Sequence, residues 1–304
     1  TVTVTITDDD GGEAVAETAA LVGEGGLTAD GRLQVVGTAG NDVIHVSKYW
    51  TSWIVRASFL PGWPLGGTAA YASSDVDEVA VLSGGGDDRV TILGNADTPT
   101  CADGGAGHDT LTGGDGPDLL IGGDGDDLLS GGSGRDVLIG GTGEDTLTGD
   151  YDEDVLIGGT TAFDVQVISC PGCEPLKSIL AEWNADRSRS VRMLNLTDGG
   201  GSADRLNGES FLLAGETVFD DGHHDTLIGC VNQDWIFAGA DDWRPQGDWP
   251  GDTDGDGDVD LADLSVLAAH YGATSGMTWQ TGDMDGDGDV DIEDLSVLAA
   301  NWRP

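Results

Sequence analysis

From Gly104 to Ile157 the chain reads GGAGHDTLT, GGDGPDLLI, GGDGDDLLS, GGSGRDVLI, GGTGEDTLT and GDYDEDVLI, six nonapeptides in unbroken register. Against the pattern GGxGxDxLx, 28 of the 30 defined positions match, and the exceptions are Asp150 and Asp152, which replace glycines in the last repeat. This regularity predicts a repeat architecture in which neighbouring units share a core. A flexible glycine-rich linker is excluded, because a linker would not hold leucine at every ninth position.

Each residue type in the repeat has a predicted role. Glycines at positions 1, 2 and 4 allow positive φ and close backbone approach, so carbonyls can turn toward a cation while the position-6 aspartate supplies a carboxylate. Positions 7 to 9 predict a short strand whose central leucine faces the core; these leucines are Leu111, Leu120, Leu129, Leu138, Leu147 and Leu156. Two nonapeptides make one turn, so a cation would lie between aspartates 18 residues apart, namely Asp109 with Asp127, Asp118 with Asp136, Asp127 with Asp145 and Asp136 with Asp154.

These repeats resemble the RTX, or haemolysin-type, calcium-binding repeats, which fold into a parallel β-roll. The resemblance implies calcium ligands at position 6 of every repeat: Asp109, Asp118, Asp127, Asp136, Asp145 and Asp154. Weaker copies of the repeat flank this block and keep Asp42, Asp88, Asp225 and Asp234 at position 6. The copies of Asp225 and Asp234 have lost most of the repeat's glycines. We expect structural rather than metal-binding roles for all of these outer copies.

A second periodicity lies at the C-terminus. DTDGDGDVDLADLSVLAA (Asp252–Ala269) recurs as DMDGDGDVDIEDLSVLAA (Asp283–Ala300), 31 residues later. Each copy contains a 12-residue cation loop with oxygen donors only, which favours calcium over zinc or copper. The predicted side-chain ligands at positions 1, 3, 5, 9 and 12 are Asp252, Asp254, Asp256, Asp260 and Asp263, then Asp283, Asp285, Asp287, Asp291 and Asp294. At position 7, Asp258 and Asp289 would contribute backbone carbonyls.

Glycine and proline before each loop argue against the entering helix of an EF-hand, which leaves exit helices over Leu261–Tyr271 and Ile292–Trp302. This loop-helix duplication resembles the type I dockerin, which docks exported carbohydrate-active enzymes onto cohesins. Dockerins that bind known cohesins usually place Ser or Thr just after position 9, where this chain has Leu261–Ala262 and Ile292–Glu293. The alternative is therefore a calcium-stabilised C-terminal cap of the chain that binds no partner.

Charge excludes several function classes. The chain has 56 acidic against 12 basic residues, a net charge of -44, which argues against nucleic acid and anionic membranes as partners. The main repeat block carries 13 acidic side chains and the single basic Arg135, so we expect it to be largely unfolded without calcium. No apolar run approaches the roughly 18 residues of a transmembrane helix. No HExxH, GxSxG or phosphate-loop motif occurs, so we expect no enzyme within these residues. Whether the full-length protein is an enzyme is a separate question that these residues do not answer.

The predicted fold is mainly β: a parallel β-roll or β-solenoid with one inserted amphipathic helix, followed by a small α-helical calcium-loop domain. The helix falls in CEPLKSILAEWNADRSRSVRML (Cys173–Leu194), with its basic residues facing the acidic turns. For Cys170 and Cys173 a local disulfide or free thiols are favoured over a metal site. The predicted division is the end of a preceding β-sandwich module (1–10), a β-rich region with degenerate repeats (11–103), the RTX roll (104–157), an insertion (158–219), closing repeats (220–243), a linker (244–251) and the dockerin-like domain (252–304).

The combination suggests part of a larger secreted or cell-surface bacterial protein that calcium folds after export. One hypothesis is a structural or adhesive role. The other is an export and docking tail of an extracellular polysaccharide-degrading hydrolase, with its catalytic domain upstream. Candidate partners, besides calcium, are a cohesin-like protein, a cell-surface protein and a polysaccharide.

Overall fold

The computed structural model describes the chain in segments: 4–7, 13–16, 26–28, 31–60, 68–94, 98–163, 174–197, 199–229, 234–239, 242–243, 251, 253, 259, 261–274, 277, 281–284 and 289–300. Its strands are β1 (Val4–Thr7), β2 (Glu13–Ala16), β3 (Arg32–Val36), β4 (Val43–Tyr49), β5 (Ser52–Ala57), β6 (Thr68–Ala72), β7 (Glu78–Gly85), β8 (Arg89–Leu93), β9 (Thr100–Ala106), β10 (Thr110–Thr112), β11 (Asp118–Asp124), β12 (Leu128–Gly132), β13 (Val137–Thr142), β14 (Thr146–Asp150), β15 (Val155–Ile157), β16 (Thr160–Thr161), β17 (Val218–Phe219), β18 (Thr226–Ile228) and β19 (Trp235–Phe237). Its helices are α1 (Glu174–Trp183), α2 (Arg189–Thr197), α3 (Leu261–His270) and α4 (Ile292–Ala300), with a short 3-10 helix over Ser73–Asp75.

Most strands form a two-sheet solenoid, which we call the roll. Sheet I has the order β18-β14-β12-β10-β8-β4, continued by β5 and β6, and sheet II has the order β19-β15-β13-β11-β9-β7-β3. The repeat strands pair in parallel one full turn apart, so that Leu111 lies opposite Leu129 and Leu120 opposite Leu138. Two nonapeptides therefore make one turn, and the predicted β-roll is confirmed.

The interior between the sheets is a stack of leucines. All six position-8 leucines are fully buried, and Leu227 and Ile236 continue the stack beyond the main repeat block. Each stacked side chain shields the one below it from water, and burying a leucine contributes about 1.5–3 kcal/mol. A thin roll of this kind thus has a continuous core although each repeat supplies a single leucine.

The outer face of sheet II is also apolar. In the repeats of β11, β13 and β15, positions 7 and 9 carry buried Leu, Val or Ile, whereas the repeats of β10 and β14 carry Thr there. Helix α1 covers this face with Leu176, Ile179 and Trp183, and α2 adds Met193 and Leu196 to the same hydrophobic cluster. The helices are therefore part of the roll's packing.

The structure divides the predicted single inserted helix into two. Ser188 begins α2, where its Oγ accepts a hydrogen bond from the Val191 N–H at 3.4 Å and its carbonyl accepts one from the Arg192 N–H at 3.1 Å. A serine at this position satisfies N–H groups at the helix start and so favours a new helix. Of the basic residues, Lys177 pairs with Glu78 and Arg192 with Glu153, as expected for cations facing the acidic roll.

Two other parts of the described chain complete the fold. At the N-terminus, β1 pairs antiparallel with β2, across the boundary we placed after residue 10. At the C-terminus, α3 and α4 pack through buried Leu267 and Leu298. The helices start where the loop pattern predicts, and α3 ends at His270, one residue earlier than expected. Among the described helices, none is both long and apolar enough to cross a membrane.

Candidate metal centre

The position-6 aspartates form two columns along the roll. In each step the backbone N–H of one aspartate donates to Oδ1 of the aspartate one turn further on, at 2.7 Å from Asp109 to Asp127 and 2.8 Å from Asp127 to Asp145. The second column follows the same rule, at 2.8 Å from Asp118 to Asp136 and from Asp136 to Asp154. The structure thus brings together each pair of aspartates that the 18-residue spacing predicts.

The other carboxylate oxygen of these aspartates has no hydrogen-bond partner. This applies to one buried oxygen in each of Asp109, Asp118, Asp127, Asp136, Asp145 and Asp154. Each of these residues is at most 3% exposed. An unpaired carboxylate oxygen that is buried is costly unless an ion or another donor satisfies it. A column of such oxygens is suited to binding a row of cations.

Glycine at position 1 keeps a space open beside one carboxylate oxygen of each aspartate, Oδ2. A Cβ added to Gly122 would overlap both Asp127 Oδ2 and the carbonyl oxygen of Gly140, one turn further on. The same two types of oxygen converge at Gly104, Gly113 and Gly140. Carboxylate and carbonyl oxygens are the donors that calcium prefers, so the residues present fit the ion that the repeat pattern implies.

Positions 2 and 4 adopt a left-handed backbone in every repeat except that of Gly114 and Gly116. Gly123, at position 2, has φ of +114°, and a side chain there would overlap the Gly105 carbonyl. In the last repeat Asp150 and Asp152 replace glycine and adopt φ of +74° each. Aspartate tolerates this conformation better than most residues, so the backbone path continues through the imperfect repeat.

Burial shifts the titration of both columns. Burial raises the pKa of Asp127 to about 8, and the neighbouring charges of Asp145 and Asp109 add to the effect. Burial likewise raises the pKa of Asp136 to about 10 and that of Asp154 to about 9. Without a cation these groups therefore favour the protonated form, and a divalent cation would reverse the preference.

The C-terminal loops show a second oxygen cluster. The carboxylate oxygens of Asp289, Asp291 and Asp294 all lie within 4.8 Å of one another. Asp294 Oδ1 also accepts a hydrogen bond from the Met284 N–H at 2.6 Å, and Asp263 accepts one from the Thr253 N–H at 2.6 Å in the first loop. The two loops thus share their local geometry. The side chain of Asp289 joins the cluster, although we expected only its carbonyl to contribute.

Several predicted ligands lie outside the described residues: Asp252, Asp254, Asp256, Asp258, Asp260, Asp285 and Asp287. Cys170 and Cys173 also lie outside them, so the disulfide or thiol prediction stays a prediction. Asp283 is described and is 4% exposed.

Sequence reasoning missed how far the first column extends. Asp42 donates its N–H to Asp88 Oδ1 at 2.6 Å, Asp88 to Asp109 at 2.7 Å, and Asp145 to Asp225 at 2.8 Å. Asp88 and Asp225 also keep a buried oxygen without a partner. The retained position-6 aspartate is the signal that the sequence offers, and at Asp225 the missing glycines obscure it.

Comparison with known families decides the nature of both modules. Residues 103–138 and 130–160 match the family model of the RTX calcium-binding nonapeptide repeat, and residues 250–301 match that of the dockerin type I domain. The chain carries RTX repeats and a type I dockerin. Both are calcium-binding domains, so Ca2+ is the cofactor of the RTX repeats and of the dockerin alike. No curated protein and no solved structure matches the chain.

Proposed function

We propose that this chain is a calcium-folded segment of a secreted or cell-surface bacterial protein with a structural or adhesive role. The observation that carries the proposal is the row of buried aspartate oxygens without partners along the RTX roll. In calcium these oxygens become ligands, with the position-6 aspartates and the dockerin loop aspartates as the binding residues. Without calcium, each of these aspartates must either bury a charge or take up a proton that the unfolded chain releases, and both oppose the fold. Because calcium is scarce inside cells and abundant outside, the roll would fold only after export.

A calcium titration with magnesium as the control tests this function. We expect circular dichroism to show β-structure forming in calcium and calorimetry to count about four ions in the RTX repeats plus two in the dockerin, as the ligand sets imply. Magnesium should not substitute, since it demands a tighter octahedral shell and gives up its water reluctantly. A chain that is equally folded in chelator would contradict the proposal.

A docking role is the second candidate, in which the chain is the export and docking tail of an extracellular polysaccharide-degrading hydrolase. Leu261 and Ile292 occupy equivalent places at the starts of α3 and α4, and they are 71% and 57% exposed. Exposed apolar side chains on matched surfaces favour a protein partner, and a cohesin-like module is the partner class. Binding of the intact chain to a panel of cohesins, compared with Leu261→Ser and Ile292→Ser, tests it. If the chain binds none of the cohesins, the docking role is contradicted and the dockerin is a C-terminal cap.

A further inference from the structure

The aspartate column of sheet I continues across the insertion. Asp225 follows Asp145 by 80 residues, whereas Asp145 follows Asp127 by 18, yet the N–H of Asp145 donates to Asp225 Oδ1 at the same 2.8 Å. β18 pairs with β14 in parallel, with Leu227 opposite Leu147. Asp225 therefore occupies position 6 of a further repeat, although the residues before it in the sequence lack the repeat's glycines.

The glycine half of that repeat lies on the other side of the insertion. A Cβ on Gly158 would overlap Asp225 Oδ2, as one on Gly122 would overlap Asp127 Oδ2. The carbonyl of Gly158 also lies beside Gly140, in the place that the Gly140 carbonyl takes beside Gly122. One nonapeptide is thus assembled from Gly158–Gly159 and Asp225–Ile228, which the insertion separates in sequence.

The oxygens of this split repeat match those of the regular ones. Asp225 is 1% exposed, and its Oδ2 is buried without a hydrogen-bond partner. Asp145 Oδ2, on the preceding turn, is in the same state. Such oxygens, together with the Gly158 carbonyl, make the donor set of a cation site. We propose that the split repeat binds a Ca2+ ion through Asp225, which lies outside the matched RTX repeats, together with Asp145 and Gly158, which lie within them. This ion holds the two ends of the insertion together.

The two ends of the insertion, which we call its neck, are joined by a short stretch of backbone pairing in the described residues. β16 and β17 pair over only two residues, Thr160 with Phe219 and Thr161 with Val218, and the Ala162 N–H donates to the Thr217 carbonyl at 2.8 Å. Loop-closure entropy opposes holding the ends of so long a segment together. An ion shared by both ends offsets that cost, so calcium controls whether the two ends stay together and whether β18 stays on the roll, while α1 packs on sheet II through its own apolar contacts.

The inference rests on the proposed calcium function and is tested with Asp225→Asn. Asparagine keeps an oxygen to accept the Asp145 N–H but replaces the charged Oδ2, so a purely structural role would survive the change. Asp186→Asn is the matched control, since Asp186 is an exposed aspartate of the insertion. Calcium alone is the probe, with ions counted by calorimetry and local opening followed by hydrogen exchange in calcium.

We expect Asp225→Asn to bind one ion fewer than the wild-type chain and Asp186→Asn. Amides of residues 160–161, 217–219 and 226–228 should exchange about tenfold faster at a calcium concentration ten times the dissociation constant of the lost site. Amides of β10 to β13 should keep their protection.

An unchanged ion count with unchanged exchange at the neck would overturn the proposal. If Asp225→Asn does not fold, Gly158→Ala tests the proposal instead. Its Cβ fills the space beside Asp225 Oδ2 and leaves every carboxylate in the chain. An alanine variant that retains all ions also overturns the proposal. A wild-type chain that binds no calcium in the RTX repeats would instead defeat the proposed function itself.

Discussion

Replacing Asp127 with asparagine should have opposite effects with and without calcium. Asp127 is 3% exposed, its Oδ1 accepts the Asp109 N–H at 2.7 Å, and its Oδ2 has no partner. Asparagine can keep the hydrogen bond but cannot serve as a charged ligand. Asp115→Asn is the control, because Asp115 is an exposed aspartate of the same roll.

The expected loss in calcium follows from the linkage between binding and folding. A site that binds the folded chain only stabilises it by RT ln(1 + [Ca]/Kd). For extracellular-type sites with Kd of about 1 to 0.1 mM, 10 mM calcium contributes about 1.4 to 2.7 kcal/mol per ion. If Asp127 serves the ions on both sides of its turn, as the 18-residue pairing predicts, the loss in the free energy of unfolding is twice as large.

In chelator the sign reverses. Burial raises the pKa of Asp127 to about 8, so the folded chain at pH 8.5 holds a buried charge that the unfolded chain exposes to water. Asparagine removes that charge, and residual β-structure in chelator should increase. Urea unfolding followed by circular dichroism, in 10 mM calcium and in chelator, measures both effects. Equal changes for Asp127→Asn and Asp115→Asn in calcium would refute the pairing of aspartates across one turn.

Three further outcomes are expected. In chelator, the fold should gain stability as the pH falls from 8 to 5. Burial raises the pKa of Asp118, Asp145 and Asp225 to about 7, so in this range the folded chain binds protons that the unfolded chain releases down to about pH 4. Circular dichroism at the two pH values checks this, and a loss of β-structure on acidification would contradict it. Leu138→Ala should lower the free energy of unfolding in calcium by about 2–5 kcal/mol, because Leu138 is fully buried in the roll's leucine stack, and urea unfolding against the exposed-site variant Leu128→Ala measures it. Asp263→Asn with Asp294→Asn should release α3 and α4 while the RTX strands stay protected from hydrogen exchange, since each carboxylate accepts a backbone N–H of its own loop. Simultaneous loss of protection in the roll would mean that the two modules unfold as one unit.

Much of the fold follows from local patterns in the sequence. The position-8 leucines and position-6 aspartates recur with the period of the structure itself, so their placement inside the roll and along its edge could be predicted. The spacing of 18 residues gives the correct partner wherever two complete repeats form a turn. The starts of α3 and α4 could be predicted for the same reason, because the loop pattern that precedes each helix is local.

The sequence also contains a signal for the covered face of sheet II, in the positions on either side of the shared leucine. Positions 7 and 9 are apolar in the repeats of β11, β13 and β15 and threonine in those of β10 and β14. Alternate repeats lie on opposite sheets, so this alternation indicates that one outer face is buried and the other meets water. It predicts a covering element, and α1 and α2 provide it.

The sequence by itself determined the repeat, its calcium chemistry and the dockerin loops, because each depends on residues within a few positions of one another. Only the tertiary structure decided that Asp88 and Asp225 belong to the same column as Asp127. Their separations from the neighbouring aspartates, 21 and 80 residues, carry no periodic signal. Parallel pairing depends on which strands become neighbours after the chain has completed a turn. An insertion of any length can interrupt the roll before the chain returns to the same register, so the spacing in the sequence does not reveal that register.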